Sequence, residues 1–526
     1  MSNESSKPAE QPTDEKPQEE AKAVEKSDAK LGDSKGGPGG PGGGKPGGGP
    51  GGRPKKKPLS TPFEITGFIL GIVVMALVWF APPVLGLEPK GMHMLAVFAL
   101  CLVWWIFNPI PAELTAMVMM FLPVLLGIIK LQVGISGFNA STTWFLVGGL
   151  IIGRMISTSG LDKRITLSIV KIFGGKSLGL WKVLISIFVL AFVLTLVVPS
   201  GTVLSLILCA QVYPLVKLYG VDEKSHLAKM LMVSVPILVL LCGNESLSGS
   251  SHNLVLLGCL EDAGLSISWL GWFLAILPDT IIVTAILFAS YKLFLKPEKL
   301  TVEGGREAIE KQLKECGKFS KDEIKSCVLF LAALVLWITN AFTGIPVAFT
   351  AIGVALIAML PRIGCLDFRG TMRGINWPII MFVGAVLGIS GMMEAVGMND
   401  AFTIMFNNMA PYFGGTIGFV VLMWLLAQIT AWLGLAISSP LLFVPFMFPI
   451  AAGMGMPPVY AALMQGYMQP TVMYYHAPAP LMGAEYNCYT QGDYIKYQLI
   501  VCLGKIIATP LLVGVWWPFL TGIGIL

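Results

Sequence analysis

Charge is what this chain has least of. Only 13% of its 526 residues are Asp, Glu, Lys or Arg, about half the share in an average soluble protein, while 55% are hydrophobic. That balance excludes a water-soluble globule and leaves a polytopic helical membrane protein. A span needs roughly 20 mostly apolar residues, and such stretches follow one another from Phe63 to the C-terminus. Histidine is equally scarce, four in all, and none stands at metal-ligand spacing from a cysteine. The nine cysteines include no CxxC pair and lie mostly inside apolar segments, so they read as free buried thiols. No nucleophile has a base or metal motif at useful spacing, which argues against an enzyme. The net charge of +5 is spread over short loops and the Lys55–Lys57 approach to the first span. That is the pattern of membrane orientation, not of nucleic-acid binding.

What is present is a patterned series of apolar runs. Residues 1–57 are Glu/Lys/Pro-rich and then Gly/Pro-rich (GGPGGPGGGKPGGGPGGRP), without the strict period of collagen, and are expected to form a disordered cytoplasmic tail. The first apolar run starts only after that polar stretch, so no cleaved secretory signal is expected. Spans are expected near 63–86, 91–107, 113–129 and 141–157, followed by an amphipathic surface piece at 161–175. The block 178–216 is broken by VVPSGT at 197–202, the pattern of a re-entrant hairpin with its tip at Pro199 to Thr202. An interrupted span at 228–259 and one at 268–295 complete a first repeat, 60–295.

A charged cytoplasmic loop, 296–323, then leads into a second repeat, 324–526, on the same plan. Its spans fall near 325–342, 345–361 and 376–393, followed by a block, 413–455, interrupted by LAISSP with a tip at Ser438-Ser439-Pro440. A span at 457–484 is broken by QPTVMYYHAPAP, and a last one runs over 496–524. Paired broken helices in corresponding positions mark transporters with inverted repeats. With the N-terminus inside, the outer loops hold only Lys90 and Lys130, while Lys163, Arg164, Lys171, Lys176, Lys217, Lys224 and the 296–323 loop fall inside. The bias supports eleven spans plus two hairpins, with the C-terminus outside.

Four interruptions therefore need explaining: Ser200-Gly201-Thr202, the cluster CGNESLSGSSHN at 242–253, Ser438-Ser439-Pro440, and His476 to Pro480. Backbone that leaves the helix at membrane depth is tolerated only where it is buried in protein or lines a cavity. Either each break is a kink whose hydroxyls satisfy neighbouring carbonyls, or all four converge on one site, and their paired positions favour the second. Broken ends expose N–H groups of partial positive charge and hydroxyls add donors, so the site suits an anion without a buried Arg or Lys. Glu245 is a carboxylate near the bilayer centre, at about 2.5–3.5 kcal/mol on insertion scales. It is either a protonated donor inside the broken helix or a group in proton coupling. His252 and His476 fall at equivalent places in the two halves and are expected to touch substrate or a proton. Arg154 and Lys505 are expected to snorkel or pair and not to touch substrate, and Glu113 to cap a helix start.

VPSGT (198–202), GSSHNLVLLG (249–258) and YYHAPAPLMGAEYNCYTQGDYIKYQLI (474–500), in this order and spacing, resemble the motifs of the divalent anion/sodium symporter (DASS) family, nearest its citrate/succinate and 2-oxoglutarate/malate exchanger branch. The resemblance spans about 60 to 526. It implies an elevator transporter for dicarboxylates, tricarboxylates or sulfate, a homodimer with scaffold and moving domains, in the plasma (inner) membrane. By position, Ser200, Gly201 and Thr202 stand where the family has its first Ser-Asn-Thr, and Ser438, Ser439 and Pro440 take the second. Gly249, Ser250, Ser251, His252 and Asn253 occupy the first Gly-Thr-Pro-Pro-Asn motif, and His476 to Pro480 its partner. Substrate contacts then fall to Ser200, Gly201, Thr202, Ser251, His252, Asn253, Ser438, Ser439, His476, Ala477 and Pro478. Ion coupling falls to Ser200, Gly201, Gly249, Ser439, His476 and Glu245, with sodium, the one coupling ion implied, at Ser200, Gly249 and Ser439. The chain departs from the pattern at Gly201 and Pro440, where the family has asparagines that help hold carboxylate and sodium. It departs again at Ser251-His252, which replaces a proline pair and adds donors suited to a sulfonate.

The sequence thus reads as an all-α polytopic protein of about eleven spans and two re-entrant hairpins, a secondary active transporter of small divalent organic anions such as succinate, malate and citrate. Sodium symport, proton symport through Glu245 and the histidines, and anion exchange are all open. Sulfate or organosulfonate transport in the same fold is an alternative, and so is an anion channel whose polar breaks form a filter.

Overall fold

A computed structural model describes residues 62–526 apart from 85, 176, 197, 303, 399–400, 402–403, 405–407, 409–413, 433–438, 470–471 and 473–478. The expected N-terminal tail, the hairpin-tip Ser438, and His476, Ala477 and Pro478 lie outside the described residues. Among the described residues every regular element is helical, the arrangement that meets each backbone N–H and C=O within its own segment when no water is at hand.

The chain opens with α1 (Pro62–Trp79) and α2 (Pro89–Phe107), joined face to face by Phe68 stacked on Trp104 at 4.9 Å. The first expected span reached residue 86, but the helix stops at Trp79, just before Pro82-Pro83, which can donate no backbone hydrogen bond. Next come α3 (Ala112–Leu125), α4 (Ser141–Ser159) and α5 (Leu161–Phe173). The last two meet at 73° around Gly160, whose φ of 80° suits glycine. Glu113 sits in the first turn of α3 without a capping hydrogen bond, so it acts on the helix end by charge alone.

Two helix–break–helix units follow: α6 (Leu180–Thr195) with α7 (Gly201–Leu218), and α8 (His226–Cys242) with α9 (Ser251–Asp262). Then come α10 (Trp269–Phe294), α11 (Gly305–Glu315), α12 (Lys321–Ile338), α13 (Val347–Met359), α14 (Phe368–Gly374) and α15 (Trp377–Glu394). After these come α16 (Gly415–Trp432), α17 (Ser439–Gly453), α18 (Val459–Met468) and α19 (Ala479–Ala484). The last span is α20 (Gln491–Leu511), which passes through a π-turn at Leu512–Trp516 into α21 (Trp517–Gly522).

Seven helices among the described residues are long and apolar enough to cross a membrane, or eight if the bent α4–α5 pair is one span. The outer surface agrees, with Phe80, Leu125 and Phe342 all more than 80% exposed; in water such side chains would be a liability and in lipid they are not. Inside, small residues let backbones approach. A Cβ at Gly148 of α4 would lie 2.6 Å from the Ala351 carbonyl carbon of α13.

The charged 296–323 segment carries α11, tied to α5 by Lys171–Glu310 at 3.4 Å. Beside it Arg164 of α5 grips Glu323 of α12 with two bonds, Nε to Oε1 at 2.7 Å and Nη2 to Oε2 at 3.1 Å. The guanidinium also donates to the carbonyls of Cys316 and Gly317 and covers the Phe319 ring. Glu323 completes a capping box with Ser320 at the start of α12. The Arg164 hydrogen bonds hold its carboxyl below the usual carboxylate range.

Candidate functional site

Two helices begin at one cavity. At α7, Ser200 is extended (φ −148°, ψ 94°) and its Oγ accepts from the Val203 N–H at 3.4 Å. At α9, Ser250 is extended (φ −149°, ψ 140°) and accepts from the His252 N–H at 3.2 Å. First-turn N–H groups have no partner within their own helix, and here they face a cavity of about 150 Å³ lined by Ser200, Gly201, Thr202, Ser250, Ser251 and His252. Apolar walls come from Ile237 and Leu240 of α8 and Ile379 of α15, and polar ones from Gln469 and from Gln498 and Lys505 of α20. Partial positive charge at two helix starts, hydroxyl groups and the Lys505 amine surround this space, which is an anion site by chemistry.

The break at 243–250 is built by side chains. Asn253 Nδ2 donates to the carbonyls of Gly243 (3.0 Å), Asn244 (3.2 Å) and Ser246 (2.7 Å). Ser246 Oγ donates to the Thr195 carbonyl at 3.2 Å, and Ser248 Oγ to that of Leu196, which ties the break to the turn before α7. From α10, Trp269 Nε1 donates to Ser248 Oγ at 3.1 Å and Trp272 Nε1 to the Asn244 carbonyl at 3.0 Å. Ser251 Oγ donates to the Pro199 carbonyl at 3.2 Å, so the two helix starts are directly linked. His252 Nε2 lies 3.3 Å from the Gln465 carbonyl.

Of the residues singled out in the sequence, Ser200, Gly201, Thr202, Gly249, Ser251 and His252 line the cavity together. Asn253 stands behind it with its amide engaged on the break. Ser439 is one contact away, accepting from Gln465 Nε2 at 2.8 Å and donating to Gln469 Oε1 at 3.2 Å. Glu245 is fully buried within the break, where its carboxyl faces Thr280 of α10. Lys505 does not snorkel: it is 5% exposed, lines the cavity and donates to the Gln469 carbonyl at 3.4 Å. Gln465, Gln469, Gln498 and Asp279 were not anticipated, since a lone amide or carboxylate in an apolar run gives no periodic signal of what it meets.

For a coupling cation the test is the space at Gly249. A Cβ there would meet the Gly243 carbonyl at 2.5 Å and Ser246 Oγ and the Thr195 carbonyl at 2.9 Å each. These oxygens pack against the Gly249 Cα, and they already take part in hydrogen bonds, Ser246 Oγ to the Thr195 carbonyl and Asn253 Nδ2 to that of Gly243, so the point is filled and is no cation-sized space. No group of three or more His, Cys, Asp or Glu that could hold a metal occurs among the described residues.

Comparison with known proteins adds a family. The one described as the sodium:sulfate symporter transmembrane region matches residues 63–523. A Bacillus subtilis protein, YflS, named for malate transport, is 26% identical over 481 residues, 87% of this chain and 97% of its own length. The citrate/succinate antiporter of Escherichia coli K12 is 26% identical over 363 residues, 63% of this chain and 72% of its own. The chloroplastic dicarboxylate transporter 1 of Spinacia oleracea is 24% identical over 481 residues, 86% of this chain and 81% of its own.

Proposed function

The chain belongs to the sodium:sulfate symporter transmembrane family, a family of membrane transporters and not enzymes, and on that premise we propose that it carries small divalent organic anions, di- or tricarboxylates such as succinate, malate or citrate, by secondary active transport. The observation that supports this most is the cavity at the two helix starts, Ser200 to Thr202 and Ser250 to His252. The names of the relatives, malate, citrate/succinate and dicarboxylate, point to the same substrate class.

In this reading one carboxylate accepts from the N–H groups of Gly201, Thr202 and Ser251, with the Thr202 hydroxyl adding a donor. The apolar face of α8 keeps water away and strengthens each of these bonds. The broken units α6–α9 and α16–α19 move as one body against the remaining helices, in a homodimer in the plasma (inner) membrane with N-terminus inside and C-terminus outside. The repeats 60–295 and 324–526 supply one half of the moving body each. Sodium, the ion that the family description names, would as coupling ion supply positive charge to offset the dianion. A second reading is sulfate, which the family description names.

Uptake of labelled succinate by purified protein in liposomes tests this, with an inward sodium gradient, with a proton gradient, and with unlabelled succinate inside. Accumulation under one gradient identifies the coupling ion, and stimulation only by preloading identifies an exchanger. No uptake in any arm, with uptake of sulfate, replaces the carboxylate reading by the second. Current that persists without counter-substrate and exceeds carrier rates would make the protein a channel.

A further inference from the structure

The two helix starts account for only one end of a dianion. Each contributes roughly half a positive charge, enough to hold one carboxylate, and a second carboxylate needs a partner that the apolar walls Ile237, Leu240 and Ile379 do not supply. Among the described residues, the cavity wall has donors with spare capacity. Lys505 has three N–H donors, and among the described residues its hydrogen-bond acceptor is the Gln469 carbonyl at a long 3.4 Å. Gln469 is 6% exposed, and its Oε1 accepts from Gln465 Nε2 at 2.7 Å and from Ser439 Oγ at 3.2 Å. Its Nε2 is buried with no partner among the described residues. Both residues line the same cavity. Buried donors of this kind are rare enough to need an explanation, and one that sits in a ligand cavity has an obvious one.

We propose that Lys505 and the Gln469 amide form a second anion pole in the cavity, which receives the distal carboxylate of the substrate and restricts transport to molecules with two acidic groups. The glutamine is oriented by Gln465 and Ser439, whose bonds to Oε1 leave Nε2 as the donor without a partner among the described residues. Asp279 of α10, fully buried and absent from the cavity wall, opposes the Lys505 charge. The inference rests on the transporter reading, because it assigns the second half of that substrate.

The test compares succinate with butyrate, a four-carbon acid that lacks the distal carboxylate, in the full-length protein and in the Lys505→Met, Lys505→Arg and Gln469→Leu variants. Two readouts are used: KM for succinate uptake in liposomes, and the ligand-dependent shift of melting temperature in detergent. Loss of a charged hydrogen bond should raise the succinate KM of Lys505→Met about 10- to 100-fold. Its melting shift with succinate should fall to that of butyrate, while butyrate itself binds as before. Lys505→Arg should recover most of the affinity, which excludes a mere folding defect, and Gln469→Leu should lose about 5- to 10-fold. Equal losses for succinate and butyrate, or an unchanged succinate KM in Lys505→Met, overturn the second pole. If the unaltered protein binds succinate in the melting assay but does not carry it, the transport reading fails, and the Lys505→Met melting shift still decides the pole.

Discussion

Asn253→Asp isolates the side chain that donates to three carbonyls of the break at 243–250. The exchange is nearly isosteric, but it removes both N–H donors of Nδ2 and turns an acceptor toward the carbonyls of Gly243, Asn244 and Ser246 at 2.7–3.2 Å. Each lost bond is worth about 1 kcal/mol, and each carbonyl left unsatisfied in a dry interior costs about 1–3 kcal/mol. With one or two carbonyls stranded, the total is about 2–6 kcal/mol, concentrated in residues 243–250. The helices on either side keep their own packing, so the loss should appear in function before it appears in global stability. We expect succinate uptake to fall at least 30-fold, the ratio that about 2 kcal/mol implies, while the melting temperature drops by only a few degrees. Amide hydrogen exchange over 243–250 should accelerate by a similar factor and stay unchanged in α8. Uptake within threefold of the unaltered protein, together with unchanged exchange at 243–250, would refute the argument that this amide holds the break.

Gly249→Ala should abolish sodium-stimulated uptake, or any uptake if the break collapses, because the new Cβ meets the Gly243 carbonyl at 2.5 Å; overpacking of this kind costs about 1–3 kcal/mol, read as a fall in initial rate. Ser200→Ala removes the cap of α7 and with it about 0.5–2 kcal/mol, so the substrate KM should rise between 2- and 30-fold; an unchanged KM would remove this helix start from the site. Ser439→Ala should have a smaller effect on KM, since its hydroxyl donates to Gln469, which lines the cavity. Glu323→Gln should destabilise by about 3 kcal/mol, the low end for breaking a buried pair, because carbonyls still accept from Arg164. The native carboxyl is held below its unfolded range, so this stabilisation is present at neutral pH and lost as pH falls through the folded value. Melting of the unaltered protein should therefore drop below about pH 4.3, and part of that drop should vanish in Glu323→Gln.

The breaks were legible because polar clusters such as GNESLSGS interrupt leucine and valine runs, and in a bilayer that pattern has few meanings. The family resemblance was legible for the same reason, since its motifs are those breaks, and the matched range of 63–523 supports it. The position of the bend at Gly160 could be read from the switch to an amphipathic pattern at Leu161. What could not be read was partnership. A lysine in an apolar run suggests snorkelling when only its own helix is considered, and only the packing of α20 against the segment after α18 brings Lys505 to Gln469. Asn253 looked like a ligand because it lies in the cluster, yet its direction is set by three carbonyls upstream. The helix α11 was hidden by its charge, which describes a solvated face as well as it describes a loop.

The π-turn at Leu512–Trp516 gives the last span two different faces. A wide turn holds one residue more than a regular one, so everything beyond it is rotated relative to the helix before it. Before the turn, α20 presents Gln498, Val501 and Lys505 to the cavity. At and beyond it, Trp516 and Trp517 reach α10, where their indole N–H groups donate to the carbonyls of Leu274 at 2.7 Å and Ala275 at 2.9 Å. A register set by one inserted residue can be undone by deleting one, and a single-codon deletion within 512–516 would swing the anchoring indoles away from α10 while leaving every cavity residue in place. The tail of the chain is thus a phase adjuster, and its length modulo one residue matters more than its composition.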